Sequence, residues 1–276
     1  MGSVTERAQL IKRETARIGE YLGTLSPSDW STQSACDAWQ VRDVVAHMIG
    51  AIDLFGANIA RGAAGDAAPP EGFPPAGEGD MAARLEANAQ RAIDLGNRLG
   101  SELLATFNER RIQFDDVLSR LVEPDSEKPC YHPAGTISVE TYLNLRITEL
   151  IVHEWDIRSS LELAAVLSPE SIPAIMEMFP VFVVGRLFDP GASLPTSARF
   201  RFDLTGPVSG SHDIVAGGGE KAMMEPAGQK HPEVTFSCDT QIFILLVYGR
   251  ISLEKAIADG KLHSSGDSGL ATQFGR

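Results

Sequence analysis

Between residues 3 and 25, Val4, Ala8, Ile11, Ile18, Leu22 and Leu25 recur at spacings of three, four or seven, which lines one face of an amphipathic helix. A helix with a single apolar face draws its stability from what it packs against, so the chain must supply partners. It supplies them repeatedly. Residues 41–60 repeat the pattern through Val41, Val44, Val45, Met48, Ile49, Ile52, Phe55 and Ile59. Residues 81–107 carry it through Met81, Leu85, Ala89, Ala92, Leu99, Leu103 and Phe107, "DDVLSRLV" adds a short helix, and a further long helix is predicted over 137–163. Four long helices joined in this way predict a bundle, whose interior is a common place for a metal or ligand site. The Gly/Ala/Pro-rich segment at 61–80 interrupts the pattern and is predicted to be an exposed, mobile loop or lid.

Beyond residue 165 the texture changes. "ARFRFDL" alternates Ala198, Phe200, Phe202 and Leu204 with Arg199, Arg201 and Asp203, the period-two signature of a half-buried strand, and "VTFSCD" repeats it. Between them, "SHDIVAGGGEK" and "AMMEPAGQKHPE" predict turns joining short strands. The triple glycine at 217–219 lacks the strand-to-helix context and the GK[ST] of a phosphate loop, and predicts a hairpin turn. Helix is predicted over 172–188 and again over 240–262. The fold class is therefore α+β: a helical bundle over 1–165 followed by a small α+β domain over 166–276.

With 24 basic against 37 acidic side chains, the chain has a formal net charge of −13, which repels a phosphate backbone. Nucleic acid is not an expected partner. No apolar run approaches the ~18 residues of a membrane span, and the start "MGSVTERAQL" lacks a signal peptide's apolar centre, so a cytoplasmic protein is expected. Cys36, Cys130 and Cys238 are far apart and show no CxxC spacing, and packing thiols are their default reading. Cys36 precedes a helix, but has no neighbouring His or Lys in sequence to activate it.

The candidate site lies on the last bundle helix. At about 100° per residue, Tyr142, Arg146, Glu149, His153, Asp156 and Ser160 form one narrow polar stripe flanked by apolar residues. Glu149 and His153, four apart, have β-carbons about 5–6 Å from each other and could hold one metal ion. Two readings stay open, because the stripe is equally drawn as a solvated face; a second charged strip, Glu140, Glu154 and Arg158, competes for that role, and Glu154 is expected in solvent. His47, at the margin of the second helix's apolar stripe, is either a core histidine or a third ligand. His47, Glu149 and His153 together make a His₂Glu set, which leaves a coordination position for water or substrate.

The stretch "DWSTQSACDAWQVRDVVAHMIG" resembles the start of the mycothiol-dependent maleylpyruvate isomerase family, with its tryptophan, V-R-D run and second-helix histidine. "TYLNLRITELIVHEWDIR" is similar to that family's R-x-x-E-L-x-x-H-x-W-D signature, here Arg146, Glu149, Leu150, His153, Trp155 and Asp156. The resemblance implies a DinB-like four-helix bundle in which His47, Glu149 and His153 bind a divalent metal, usually zinc. It also implies a C-terminal domain resembling sterol carrier protein, to which "YGRISLEKAIADGKLHSSGD" is similar, with Arg250 at the position of an arginine important to activity. The 61–80 loop departs from the family pattern.

The expected function is activation of a low-molecular-weight thiol, mycothiol by resemblance, as a thiolate that attacks an electrophilic small molecule, giving isomerisation or S-transfer. In that scheme Asp156 orients a ligand histidine, and Arg146 or Arg250 pairs with a substrate carboxylate through its planar donor fork. A metal-dependent hydrolase that needs no thiol and a non-catalytic binding or regulatory module are the alternatives. Either a monomer or a homodimer is compatible with the sequence.

Overall fold

Ser3 opens the first helix, α1 (Val4–Leu22): its Oγ accepts from Glu6 N–H at 3.1 Å while the Glu6 carboxylate accepts from Ser3 N–H at 2.7 Å, a reciprocal cap. The face expected from the sequence, with Val4, Ala8, Ile11, Ile18 and Leu22, is buried. In α2 (Val41–Ala63) the Asp43 carboxylate reaches back to accept from Gln40 N–H at 2.9 Å. The third and fourth helices are α3 (Met81–Leu99) and α4 (Leu103–Ser119). A two-stranded ribbon, β1 (Pro129–Cys130) against β2 (Ile137–Ser138), then leads into α5 (Val139–Leu161), which Ser138 Oγ caps by accepting from Thr141 N–H. This computed structural model describes residues 2–78, 81–184 and 194–274. The chain divides into two units, Met1–Ala165 and Val166–Arg276.

The bundle is a ring of α1, α4, α2 and α5, in which α1 and α2 each pack against both α4 and α5. Here the structure corrects the sequence reading. The helix expected over 81–107 ends at Leu99, and Gly100 at φ +50° separates it from α4, which absorbs the expected short helix from 115. It is α4 that closes the bundle, while α3 lies along α2. An apolar period running across the break hides it, because only the backbone sign at Gly100 marks the stop. By length and apolarity α2 could cross a membrane, with a mean hydropathy of 1.3 over its best window, yet it is packed among α3, α4 and α5. The loop expected to be a mobile lid is fastened at two points: Tyr131 Oη donates to Pro74 O at 2.9 Å and Gly77 N–H to Pro133 O at 3.0 Å.

α5 is buried on nearly all sides, which resolves the competition between its two polar strips. Neither strip is a solvated face. Glu140 and Glu154 both turn toward α1, where Arg7 pairs with Glu140 at 2.8 Å and Arg17 grips the Glu154 carboxylate. Arg158 Nε donates to Glu154 Oε1 at 2.8 Å, so Glu154, expected in solvent, is 3% exposed and doubly paired. A carboxylate with two guanidinium partners can be held inside a helix pair, and sequence spacing does not reveal partners on another helix.

In the second unit, α6 (Ile172–Glu177) runs into a single π-helical turn at Phe179–Val183. Of the helix expected over 172–188, residues 185–188 lie outside the described residues. A five-stranded sheet follows, in the order β5-β4-β3-β6-β7, built from β3 (Ala198–Thr205), β4 (Gly210–Gly217), β5 (Glu220–Pro226), β6 (Val234–Asp239) and β7 (Leu262–Gly266). The β3 and β6 pair is parallel and the remaining pairs antiparallel. The alternation read in "ARFRFDL" and "VTFSCD" places Phe200, Phe202 and Phe236 on the buried face, where they meet Phe243 and Phe274.

The two segments expected to be turns contain β4 and β5 instead. Their glycines and prolines prompted the expectation, and ahead of the glycines Asp213 is fully buried in β4 and paired with Arg199 at 2.9 Å and Arg201 at 2.8 Å across β3. The hairpin turn expected at the triple glycine is present, and at Gly217 (φ +96°) a β-carbon would come within 2.7 Å of Thr196 O. The helix expected over 240–262 is divided into α7 (Thr240–Val247) and α8 (Leu253–Ala258), with α9 (Ser268–Ala271) closing the described chain.

Candidate metal centre

Two elements of the bundle meet at the site, α2 carrying His47 and α5 carrying Glu149, His153 and Asp156. Glu149 Oε2 is 3.3 Å from His47 Nε2 and 3.4 Å from His153 Nε2, and the two imidazole centroids are 4.7 Å apart. The potential donor atoms of this trio all lie within 4.8 Å of one another. Tetrahedral coordination at zinc, with bonds of about 2.0–2.1 Å, separates neighbouring N and O donors by roughly 3.3 Å. The two separations from Glu149 match that spacing.

Behind the trio, His153 Nδ1 is 2.9 Å from Asp156 Oδ2. With a proton on Nδ1 donated to that carboxylate, Nε2 keeps its lone pair and points it at the same space as His47 and Glu149. Asp156 is fully buried and itself held, because its carbonyl accepts from Ala35 N–H at 3.0 Å and its carboxylate receives the Cys36 thiol at 3.1 Å. The side chains are graded in exposure, 35% for Glu149, 21% for His47, 11% for His153 and 0% for Asp156. The centre therefore opens on the Glu149 and His47 side, and the buttress is sealed.

The protonation states follow from this arrangement. Burial alone would push the Glu149 carboxyl up, but the hydrogen bonds from His153 and His47 outweigh it and hold the group well below its ordinary range. Burial would likewise depress His153; hydrogen bonds to Asp156, Cys36 and Glu149 overcome it and raise the imidazole well above its usual value. His47 moves the other way, lowered mainly by burial. One imidazole of low basicity, one of high basicity and an ionised carboxylate between them are a donor set that could hold a cation.

The 33–40 segment builds the wall beside the centre. Gln33 Nε2 donates to Trp39 O at 2.8 Å and Ser34 Oγ donates to the same carbonyl at 2.7 Å, which ties the segment into a tight loop ahead of α2. That loop lays the Trp39 ring 4.9 Å from the His47 ring and 6.0 Å from the His153 ring. It also brings in Cys36, so the thiol that has no histidine neighbour in sequence has one in space, and Cys36, His153 and Asp156 form a second group of metal-capable atoms sharing His153. The sequence signal for Trp39 was its place in "AWQVRD"; for Cys36 none was available. Cys130 and Cys238 are buried packing thiols, pushed up by burial to about 11 and about 12.

The remaining site residues are dispersed. Tyr142 accepts at 2.9 Å from Asn58 Nδ2, and Ser160 Oγ donates to Ile157 O at 2.7 Å, so neither joins the centre. Arg146, one turn before Glu149, is fully buried, and none of its three guanidinium nitrogens finds a hydrogen-bond partner among the described residues. Arg250 belongs to the second unit, in the connection after α7, where its Nη1 donates to Tyr248 O at 3.0 Å.

A four-helix bundle carrying a His₂Glu cluster on two facing helices, followed by an α+β unit, defines the class of protein. Residues 11–158, more than half of the chain, match the mycothiol maleylpyruvate isomerase N-terminal domain, and the chain belongs to that family. Residues 190–276 match the SCP-2 sterol transfer family. Among solved structures, the chain is similar to the mycothiol-dependent maleylpyruvate isomerase, at 16% identity and a TM-score of 0.65 with 96% of each chain covered. A histidine-to-alanine mutant of that enzyme aligns at 15% identity and a TM-score of 0.64, again over 96% of each chain. At this identity the likeness shows the shared fold. No curated protein matches the chain.

Proposed function

We propose that this chain is a metal-dependent enzyme that uses a low-molecular-weight thiol, mycothiol, to isomerise an electrophilic small molecule or to transfer sulfur to it. His47, Glu149 and His153 hold a divalent ion, zinc by the family resemblance. The observation that carries the reading is the pair of 3.3 and 3.4 Å donor separations, combined with the 2.9 Å contact between His153 Nδ1 and the buried Asp156 carboxylate. Such an ion supplies acidity, since a coordinated thiol loses its proton near neutral pH. Family membership supports mycothiol as that thiol.

The chain's own residues then have separable tasks. Asp156 fixes the His153 ring, and Trp39 shields the two imidazoles from bulk water. The thiolate sulfur forms a bond to an electrophilic alkene carbon as the alkene's electron pair moves onto the conjugated carbonyl. Rotation about the resulting single bond and expulsion of the sulfur as thiolate give the isomer; uptake of a solvent proton at the α-carbon with the sulfur retained gives the thioether transfer product. Arg146 or Arg250 pairs with a substrate carboxylate through its planar donor fork, Arg250 by its place in "YGRISLEKAIADGKLHSSGD".

The test is metal content by mass spectrometry, wild type beside His47→Ala and His153→Ala. About one zinc per chain in wild type, lost in both folded variants, is the expected outcome. Turnover should then require added mycothiol; turnover without any thiol would move the assignment to a hydrolase. Wild-type protein that takes up no metal when zinc is offered would leave a binding module. Arg250→Ala should lower kcat/KM while zinc content stays at the wild-type value.

A further inference from the structure

Behind the trio, the Asp156 carboxylate faces two neighbours at once. Cys36 Sγ is 3.1 Å from Asp156 Oδ2 and His153 Nδ1 is 2.9 Å from the same oxygen, and the thiol, imidazole and carboxylate donors all lie within 4.8 Å of one another. Two separate pieces of chain supply them, the 33–40 loop and α5. The loop is fixed there by its own bonds: Ser34 N–H donates to Trp39 O at 3.0 Å, and Ala35 N–H donates to Asp156 O at 3.0 Å. Cys130 and Cys238 are buried, whereas Cys36 is half-buried, so the set has a way in from solvent past the sulfur. Nothing assigned to the trio uses this thiol.

We propose that Cys36, His153 and Asp156 form a second cation site, for a thiophilic divalent ion, on the far side of the His153 ring from the trio. His153 turns Nε2 toward Glu149 and Nδ1 toward Asp156, so the two positions use opposite edges of one imidazole and each has its own carboxylate. Zinc bonds of about 2.3 Å to sulfur and about 2.0 Å to oxygen or nitrogen set sulfur and oxygen donors roughly 3.5 Å apart, and nitrogen and oxygen donors roughly 3.3 Å apart. The contacts of 3.1 and 2.9 Å are hydrogen-bond lengths, and they open by about 0.4 Å when an ion takes the place of the protons. The exchange adds no charge to the interior. One divalent ion enters as the Cys36 sulfur and His153 Nδ1 each release a proton to solvent. The sulfur selects zinc, cadmium or cobalt over magnesium and calcium, which take oxygen donors. Because two protons must leave, the site fills when the ion is offered beyond what the trio holds.

The experiment titrates the full chain, chelator-treated and kept reduced with a phosphine, with cobalt(II) alone. A thiolate bound to cobalt gives a charge-transfer absorption in the near ultraviolet that nitrogen and oxygen donors do not give. In wild type this absorption should grow in as the bound count rises from about one to about two ions per chain. In Cys36→Ser the absorption should be lost and the count should stay at about one. His47→Ala, which breaks the trio, should keep the absorption. No thiolate absorption in wild type with cobalt in large excess, or absorption of equal strength in Cys36→Ser, would overturn the proposal. Should Cys36→Ser fail to fold, the cadmium NMR resonance of the loaded wild type decides: a position typical of sulfur ligation is expected, and signals confined to the range of nitrogen and oxygen ligands would overturn the site. The two centres also fail separately. An ion lost only in Cys36→Ser would sink the trio and leave this site standing, and an ion lost only in His47→Ala, with no thiolate absorption, would do the reverse.

Discussion

Asp156→Asn tests whether the metal centre is built as described, because the change is nearly isosteric and replaces no ligand of the His47, Glu149 and His153 trio. In the native chain a fully buried carboxylate accepts the His153 Nδ1 proton at 2.9 Å and the Cys36 thiol at 3.1 Å. A hydrogen bond to a charged acceptor contributes about 1.5–3 kcal/mol and one to a neutral acceptor about 0.5–1.5 kcal/mol, so the amide forfeits roughly 1–2 kcal/mol of support for the ligand. Zinc affinity should fall by about 5–30-fold, overlapping the range of about 10–100-fold seen when the outer partner of a metal-bound histidine is lost.

The assay is competition with a chelator of known affinity at pH 7.5, with circular dichroism to confirm that the helices persist. A second signature follows from the proton that must leave His153 before metal binds. Because the Asp156 carboxylate raises the basicity of His153, protons compete harder in wild type than in the variant. The gap between the two proteins should therefore narrow as pH falls toward 6. An affinity within about threefold of wild type, at both pH values, would refute the buttress; loss of the fold would make Asp156 a structural acid.

Other expectations follow from the packing. Gly62→Ala would place a β-carbon 2.0 Å from Cys130 Sγ and 3.0 Å from Pro129 O, so it should destabilise the bundle by about 1–3 kcal/mol, with partial rescue by Cys130→Ala in chemical denaturation. Glu154→Ala removes an acid shared by two guanidinium groups, but Arg17 keeps Glu14 at 2.6 Å and Arg158 keeps Glu162 at 3.3 Å; with Arg17 41% and Arg158 25% exposed, the loss should be about 1–2 kcal/mol rather than the full cost of a sealed pair, measured by urea unfolding. Burial would raise the Asp213 carboxyl, but its hydrogen bonds from Arg201 and Arg199 outweigh that and depress it. The unfolded chain then binds the extra proton first, so the stabilisation is present above pH about 4 and is lost as pH falls through the folded value. Asp213→Asn should flatten that acid limb in a pH series of unfolding curves.

Helical period and strand alternation were legible in the chain because each depends on local geometry: Val4, Ala8, Ile11 and Ile18 recur with the turn of a helix, and Phe200 and Phe202 with the pleat of a strand. The donor trio was within reach for the same reason, since Glu149 and His153 share a face of one helix and the motifs around His47 resemble a known family. What required the tertiary structure was everything decided by a partner distant in sequence. Glu154 reads as a surface charge until Arg17 is seen across the helix pair, the glycine-rich segment holding Asp213 reads as a turn until Arg199 and Arg201 are seen flanking that acid, and Cys36 gains a histidine only when the 33–40 loop folds against α5. Arg146 is the opposite case, a charge whose isolation no sequence pattern announces. Sequence by itself determined which faces must be buried, because burial of apolar surface follows the period of the chain. The pairing of charges within those faces was left to the tertiary fold, because it depends on distances between helices that no local pattern encodes.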